Sequence, residues 1–230
     1  VYGSTPKTFA RMGGSSLAPE VFMRTFGAAD DALELIVLDT THPATIERVV
    51  GQLELGTTLF IVASKSGGTT ETLSHLAFFW DKVPNGTQFI AITDPGTSLE
   101  TQARERGFRA VFVNPDDIGG RYSALSYFGL VPAALIGAPL HEVLDRAEEM
   151  QTASERTIPA AQSPGATLGA MMGESAKAGR DKLTIALPEE IASFGSWVEQ
   201  LIAESTGKEG VGIVPVIGEP LGTPDVYGQD

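Results

Sequence analysis

The segment Ser64-Lys65-Ser66-Gly67-Gly68-Thr69 puts hydroxyls, one ammonium group and two glycines directly after the apolar run Thr58-Leu59-Phe60-Ile61-Val62-Ala63. Leu73, Leu76, Trp80 and Val83 then recur at steps of three and four, one face of a helix. A loop of this make-up between strand and helix suits an anion. Glycines let backbone N–H groups come close, Ser and Thr hydroxyls donate, and the helix start adds positive potential. Phosphate is the natural ligand, with Lys65 supplying net charge; the lysine precedes the glycines, so this is no Walker loop. A hydroxyl-rich helix cap with Lys65 in solvent explains the same residues and stays open.

Three more segments could do chemistry. Met12-Gly13-Gly14-Ser15-Ser16 has the form of a second phosphate turn, although residues 5 to 11 make a poor buried strand and a structural turn fits as well. In Asp117-Ile118-Gly119-Gly120-Arg121-Tyr122-Ser123, the arginine after two glycines can point five donors at an oxyanion, or can simply pair with a carboxylate. Gln200 and Glu204 lie four apart at the end of a helix stopped by Gly207. A carboxylate at the negative helix pole suits a general base, and a solvated Glu beside Lys208 suits the same spacing.

The elements that must position these groups alternate. Continuous apolar runs at 34–39, 58–63, 88–93 and 110–114 read as strands buried on both faces, with helices at 70–83 and 97–107 between them. That order predicts a doubly wound, mostly parallel α/β sheet flanked by helices. Helical stretches follow at 123–136, 142–153 and 166–178. A strand at 182–187, a helix over 188–204 and a strand at 211–216 then begin a second α/β unit. The expected organisation is one domain over 1–160 and part of a second over 161–230, so the chain is expected to be a fragment.

Composition narrows the partners. Sixteen basic against twenty-nine acidic residues give a net charge of −13, which disfavours nucleic acid and anionic membrane. The absence of cysteine excludes disulfides, thiolate nucleophiles and zinc-thiolate sites and fits a cytoplasmic protein. No apolar run approaches the roughly 18–20 residues of a membrane span, and the first residues have no signal-peptide pattern.

In this order, "GGSSLAPEV", "SKSGGTTETL", "GGRYSALSYFGL" and "WVEQLIAESTGKEG" resemble the phosphoglucose isomerase (glucose-6-phosphate isomerase) family, built from two sugar-isomerase (SIS) domains, and most of all its modules fused to a transaldolase. The resemblance runs from about residue 13 to 215. It implies that Ser64, Lys65, Ser66 and Thr69, helped by Ser15, hold a sugar phosphate, with Gln200 contacting the substrate. It further implies that Arg121 stabilises an enediolate, that Glu204 moves a proton between C2 and C1, and that no metal or organic cofactor is needed. The complete protein would be a homodimer whose neighbouring subunit lends a ring-opening histidine. That histidine and a late family lysine have no counterpart here; His42, His75 and His141 stand elsewhere, His42 just past a strand end. Tyr127-Phe128 replaces smaller residues. A non-catalytic SIS module that only binds phosphosugar is the alternative, distinguished by whether Glu204 and Arg121 act.

Overall fold

The computed structural model describes residues 8–12 and 17–226. The turn at 13–16, with candidate Ser15, lies outside the described residues. The chain divides into two compact units, Val1–Ala138 and Pro139–Asp230.

In the first unit, five strands alternate with helices: β1 (Thr8–Met12), α1 (Leu17–Phe26), β2 (Glu34–Leu38), α2 (Pro43–Gln52), β3 (Thr58–Ala63), α3 (Thr70–Lys82), β4 (Phe89–Thr93), α4 (Ser98–Glu105), β5 (Ala110–Val113) and α5 (Tyr127–Leu135). The strands form one parallel sheet in the order β2-β1-β3-β4-β5. The continuous apolarity of β3 and β4 is explained by their place inside the sheet, where every residue is buried. Ala10, Met12, Phe60, Val62, Phe89 and Ala91 pack with residues of α2, α3 and α4 in one core. Phe89 anchors it, with the Phe60, Trp80 and Phe108 rings centred 4.9, 5.3 and 5.2 Å away. The alternate positions Leu59, Ile61, Ile90 and Ile92 are also buried, and α1 packs on α5. Burial on both faces is what a doubly wound sheet requires.

Three local differences from the sequence expectation have physical causes. The segment that reads as a poor buried strand supplies β1, which is central; backbone pairing to β2 and β3 holds it there despite Arg11. Helix α2 is absent from the sequence expectation; it starts on Pro43 and inserts only Val49 fully. The helix expected over 123–136 is split into a 3₁₀ turn, Gly120–Leu125, and α5. Ser126 caps α5, and the turn folds so tightly that a Cβ on Gly129 would lie 2.0 Å from the Ala124 carbonyl oxygen.

The second unit holds α6 (Leu140–Ala153), α7 (Pro164–Lys177), β6 (Lys182–Ile185), α8 (Phe194–Thr206) and β7 (Val214–Ile217). Strands β6 and β7 pair in parallel, and α8 packs on β7. Gly195 allows that approach: a Cβ there would meet Ile217 and Leu187 at 3.3 Å.

Arg11 is 0% exposed, and among the described residues none of its three guanidinium nitrogens has a hydrogen-bond partner. Burial lowers its pKa from the ordinary arginine range to about 9. The unfolded chain therefore holds this proton more tightly than the folded one. The penalty is complete below about pH 9 and fades as pH rises from there towards the ordinary arginine pKa. Arg11→Met should stabilise the first unit by about 1–4 kcal/mol at pH 7. The gain should shrink above pH 9, as read by urea unfolding of both proteins across that range.

Candidate functional site

Parallel strands that finish in step bring their following loops together, and in the order 2-1-3-4-5 the sheet reverses direction between β1 and β3. The Ser64–Thr69 loop opens at that switch point. Backbone pairing runs on past the strand ends: Ser64 N–H donates to the Ile92 carbonyl at 3.0 Å, Asp94 N–H to Lys65 at 3.2 Å and Asn114 N–H to Thr93 at 2.8 Å. Register alone thus aligns the loops after β3, β4 and β5.

Inside the loop, Ser64 is 4% exposed and its hydroxyl shares a 2.8 Å hydrogen bond with that of Thr69. Thr69 is the N-cap of α3, yet its side chain makes no capping bond. The N-cap side chain therefore leaves the first-turn N–H groups of α3 uncapped, a condition under which a helix start favours an anion. Ser66 is exposed, and its Oγ accepts from Gly68 N–H at 3.3 Å. Gly67 turns the chain at φ 67°, and a Cβ there would meet the Thr97 Cβ at 2.5 Å. Ser98 Oγ donates to the Gly67 carbonyl at 3.0 Å.

Lys65 is not a solvated cation. Its Nζ pairs with Asp94 Oδ2 and donates to the Asp116 carbonyl at 3.0 Å. Asp94, Thr97, Ser98 and Asp116 thus brace the loop, a role the sequence did not disclose. Asp94-Pro95-Gly96 reads there as an ordinary turn, and a contact between residues 29 apart has no local signature.

Arg121 is partly exposed on the 3₁₀ turn after β5, with its guanidinium 5.6 Å from the Tyr122 ring centre. Ser123 Oγ fastens the turn to the Gly120 carbonyl at 2.7 Å. Of the two larger residues in this segment, Phe128 is buried, while Tyr127 is exposed with its ring 5.4 Å from Phe112.

Gln200 and Glu204 belong to the second unit, on α8. Gln200 Nε2 donates to Glu204 Oε1 at 3.0 Å, and the Glu204 residue is exposed. Beyond Gly207, residues Lys208 to Val211 form a tight turn with φ 55° at Glu209 and 81° at Gly210. The turn brings Lys208 Nζ onto the Glu204 and Ser205 carbonyls at 3.1 and 2.6 Å, so an ammonium group offsets the negative helix end. An open groove of about 990 Å³ on this unit is lined from α8 by Glu199, Ala203 and Thr206, not by Gln200 or Glu204.

The histidines have other positions. His75 is buried on α3 with Nε2 2.9 Å from the Thr40 carbonyl, whereas His42 and His141 are exposed at or near helix starts. Among the described residues, no three His, Asp or Glu side chains converge to hold a metal ion, and no helix is long and apolar enough to cross a membrane.

A parallel sheet flanked by helices, with a hydroxyl-rich loop at its switch point, makes the first unit a doubly wound α/β fold. A hypothetical protein from Thermus thermophilus superposes with TM-score 0.81 at 29% identity, covering 93% of this chain and 54% of that one. A glucose-6-phosphate isomerase from Chlamydia trachomatis shares the fold, with TM-score 0.75 at 24% identity over 93% of this chain and 45% of its own. The phosphoglucose isomerase profile matches residues 9–217, and the chain belongs to that family. The glucose-6-phosphate isomerase of Synechococcus sp. (strain JA-3-3Ab) is 36% identical over 86% of this chain. The match covers 38% of that relative, so the chain spans well under half the length of the curated relatives it matches.

Gly67→Ala meets both a left-handed backbone and the Thr97 side chain, and should cost about 1–3 kcal/mol of local strain. Calorimetric titration with inorganic phosphate should show weaker binding than in the parent chain. Gly68→Ala, where a Cβ has only one neighbour at 4.0 Å, should bind nearly as well as the parent.

Proposed function

We propose that this chain supplies the phosphate loop, oxyanion donor and base of a cofactor-independent aldose–ketose isomerase that interconverts glucose 6-phosphate and fructose 6-phosphate. Backbone N–H groups of the 64–69 loop and the hydroxyls of Ser64, Ser66 and Thr69 hold the phosphate, with Lys65 at the rim and Ser15 assisting. The Glu204 carboxylate removes the proton from C2 of the open-chain aldose. The C–H electron pair becomes the C1–C2 double bond of a cis-enediolate, and the carbonyl electrons move onto O1. The O2 hydroxyl proton passes to O1, and Glu204 returns its own proton to C1 as the electrons left on O2 form the ketose carbonyl at C2. Arg121 offsets the charge that develops on oxygen, a contribution usually worth two or more powers of ten in rate. Gln200 steers the carboxylate and touches the substrate.

The observation that carries this reading beyond phosphosugar binding is the 3.0 Å bond from Gln200 to the exposed Glu204 carboxylate. A sensor has no use for an oriented base. Membership of the family and the arginine on a fastened turn support the same assignment. The two-domain reading, with a first sugar-isomerase domain over 1–160 and part of a second over 161–230, belongs to the proposal. So does a homodimeric, cytoplasmic complete protein that needs no nucleic acid or membrane.

The test follows solvent deuterium into C2 of glucose 6-phosphate formed from fructose 6-phosphate by the intact gene product. Glu204→Gln should lower incorporation by about 100-fold or more while retaining 6-phosphogluconate binding. Full incorporation by that variant would remove Glu204 from the mechanism. Tight sugar-phosphate binding with no incorporation by the parent protein would make the chain a binding module.

A further inference from the structure

We infer that Asp94 is a positioning residue: by gripping the Lys65 ammonium it builds a strut across the ends of β3, β4 and β5 that fixes the loop carrying Arg121. The catalytic consequence rests on the isomerase reading above; the strut itself rests on geometry alone.

Lys65, Asp94 and Asn114 each stand just beyond the paired strands, and the extended backbone ladder aligns them as one row on three neighbouring strand ends. The ammonium joins two of these ends directly, through the Asp94 carboxylate, and reaches the third through the Asp116 carbonyl. Side-chain exposures of 31% for Lys65 and 13% for Asp94 set the pair apart from the chain's helix-surface ion pairs, such as Arg146–Glu149 at 80% and 66%. A partly desolvated pair is screened less by salt and constrains geometry more.

The surroundings reinforce the grip. Among the described residues, Asp94 Oδ1 and Asn114 Oδ1, on adjacent strand ends, are buried acceptors without hydrogen-bond partners. With Asp94 Oδ1 unpartnered, the ammonium on Oδ2 is the one donor group that offsets burial of this carboxylate among the described residues. Burial of the two oxygens makes them unsuited to touching substrate, which is why the row is a support and not a second ligand site.

Arg121 lies five residues beyond Asp116, across Gly119 and Gly120. Two glycines give that segment wide conformational freedom. The Ser123 hydroxyl fastens it downstream through the Gly120 carbonyl, and the Lys65 ammonium fastens it upstream at Asp116. Removing Asp94 unloads the upstream fastening, and a displacement of about 1 Å at a charge-stabilising group can cost about 100-fold in rate.

Two measurements test this. Amide hydrogen exchange over residues 115–121, read by mass spectrometry on this chain, should quicken in Asp94→Ala, in the near-isosteric Asp94→Asn and in Lys65→Met. The Asp94→Ala/Lys65→Met double variant should exchange no faster than the single variants. In the intact gene product, kcat should fall about 100-fold in Asp94→Ala with a smaller change in KM, partly rescued by Asp94→Glu, and the double variant should be no slower than Lys65→Met. Unchanged exchange in both Asp94 variants, or losses that multiply in the double variant, would overturn the strut. If exchange responds as stated but the parent protein shows no isomerisation, the isomerase reading fails and the strut stands.

Discussion

In-register parallel pairing is the constraint on which the first unit depends. Because β1, β3, β4 and β5 run the same way, and the β3–β4–β5 pairing continues a residue past the strand ends, their loops leave the sheet at one level. A slip of one residue between β3 and β4 would turn Lys65 away from Asp94 and move buried side chains to the other face. The aromatic packing of Phe60, Phe89 and Phe108 opposes such a slip. Core packing and loop chemistry are therefore one problem, solved by the same register.

Charge is handled locally in a chain whose total is −13. Lys65, the cation of the anion-suited loop, is matched by Asp94, so the pull on an anion rests largely on backbone N–H groups and hydroxyls. Lys208 likewise sits on the carbonyls that end α8. Arg11 differs: it is a fully buried guanidinium inside the sheet with no acceptor among the described residues. The unit tolerates it because the neighbouring strands supply enough backbone bonds and apolar contact to hold β1 in place.

Much of this was legible in the sequence, and the failures have specific causes. The runs at 58–63 and 88–93 announce buried strands because both faces must be apolar there, and the glycines of 64–69 and 119–120 announce the loops. Strand β1 is obscured because Arg11 breaks its apolar pattern, and only neighbours distant in sequence restore it. The split before α5 is invisible to periodicity, since it depends on the close approach of Gly129 to Ala124. Asp94 is hidden for the same reason as β1: its significance lies in a partner from another strand. Gln200 and Glu204 were readable as a pair because four residues along a helix suffice to bring them together.

The hydrogen bond between the Ser64 and Thr69 hydroxyls has a consequence for the phosphate binding proposed above. One hydroxyl donates and the other accepts, so a single proton is engaged and the second hydroxyl keeps its own proton to donate. Under that proposal an arriving anion needs one proton to rotate outward about its C–O bond, and a departing anion lets it swing back. Such a rotation moves no backbone atom, so the exchange would cost the loop a proton reorientation and not a change of shape.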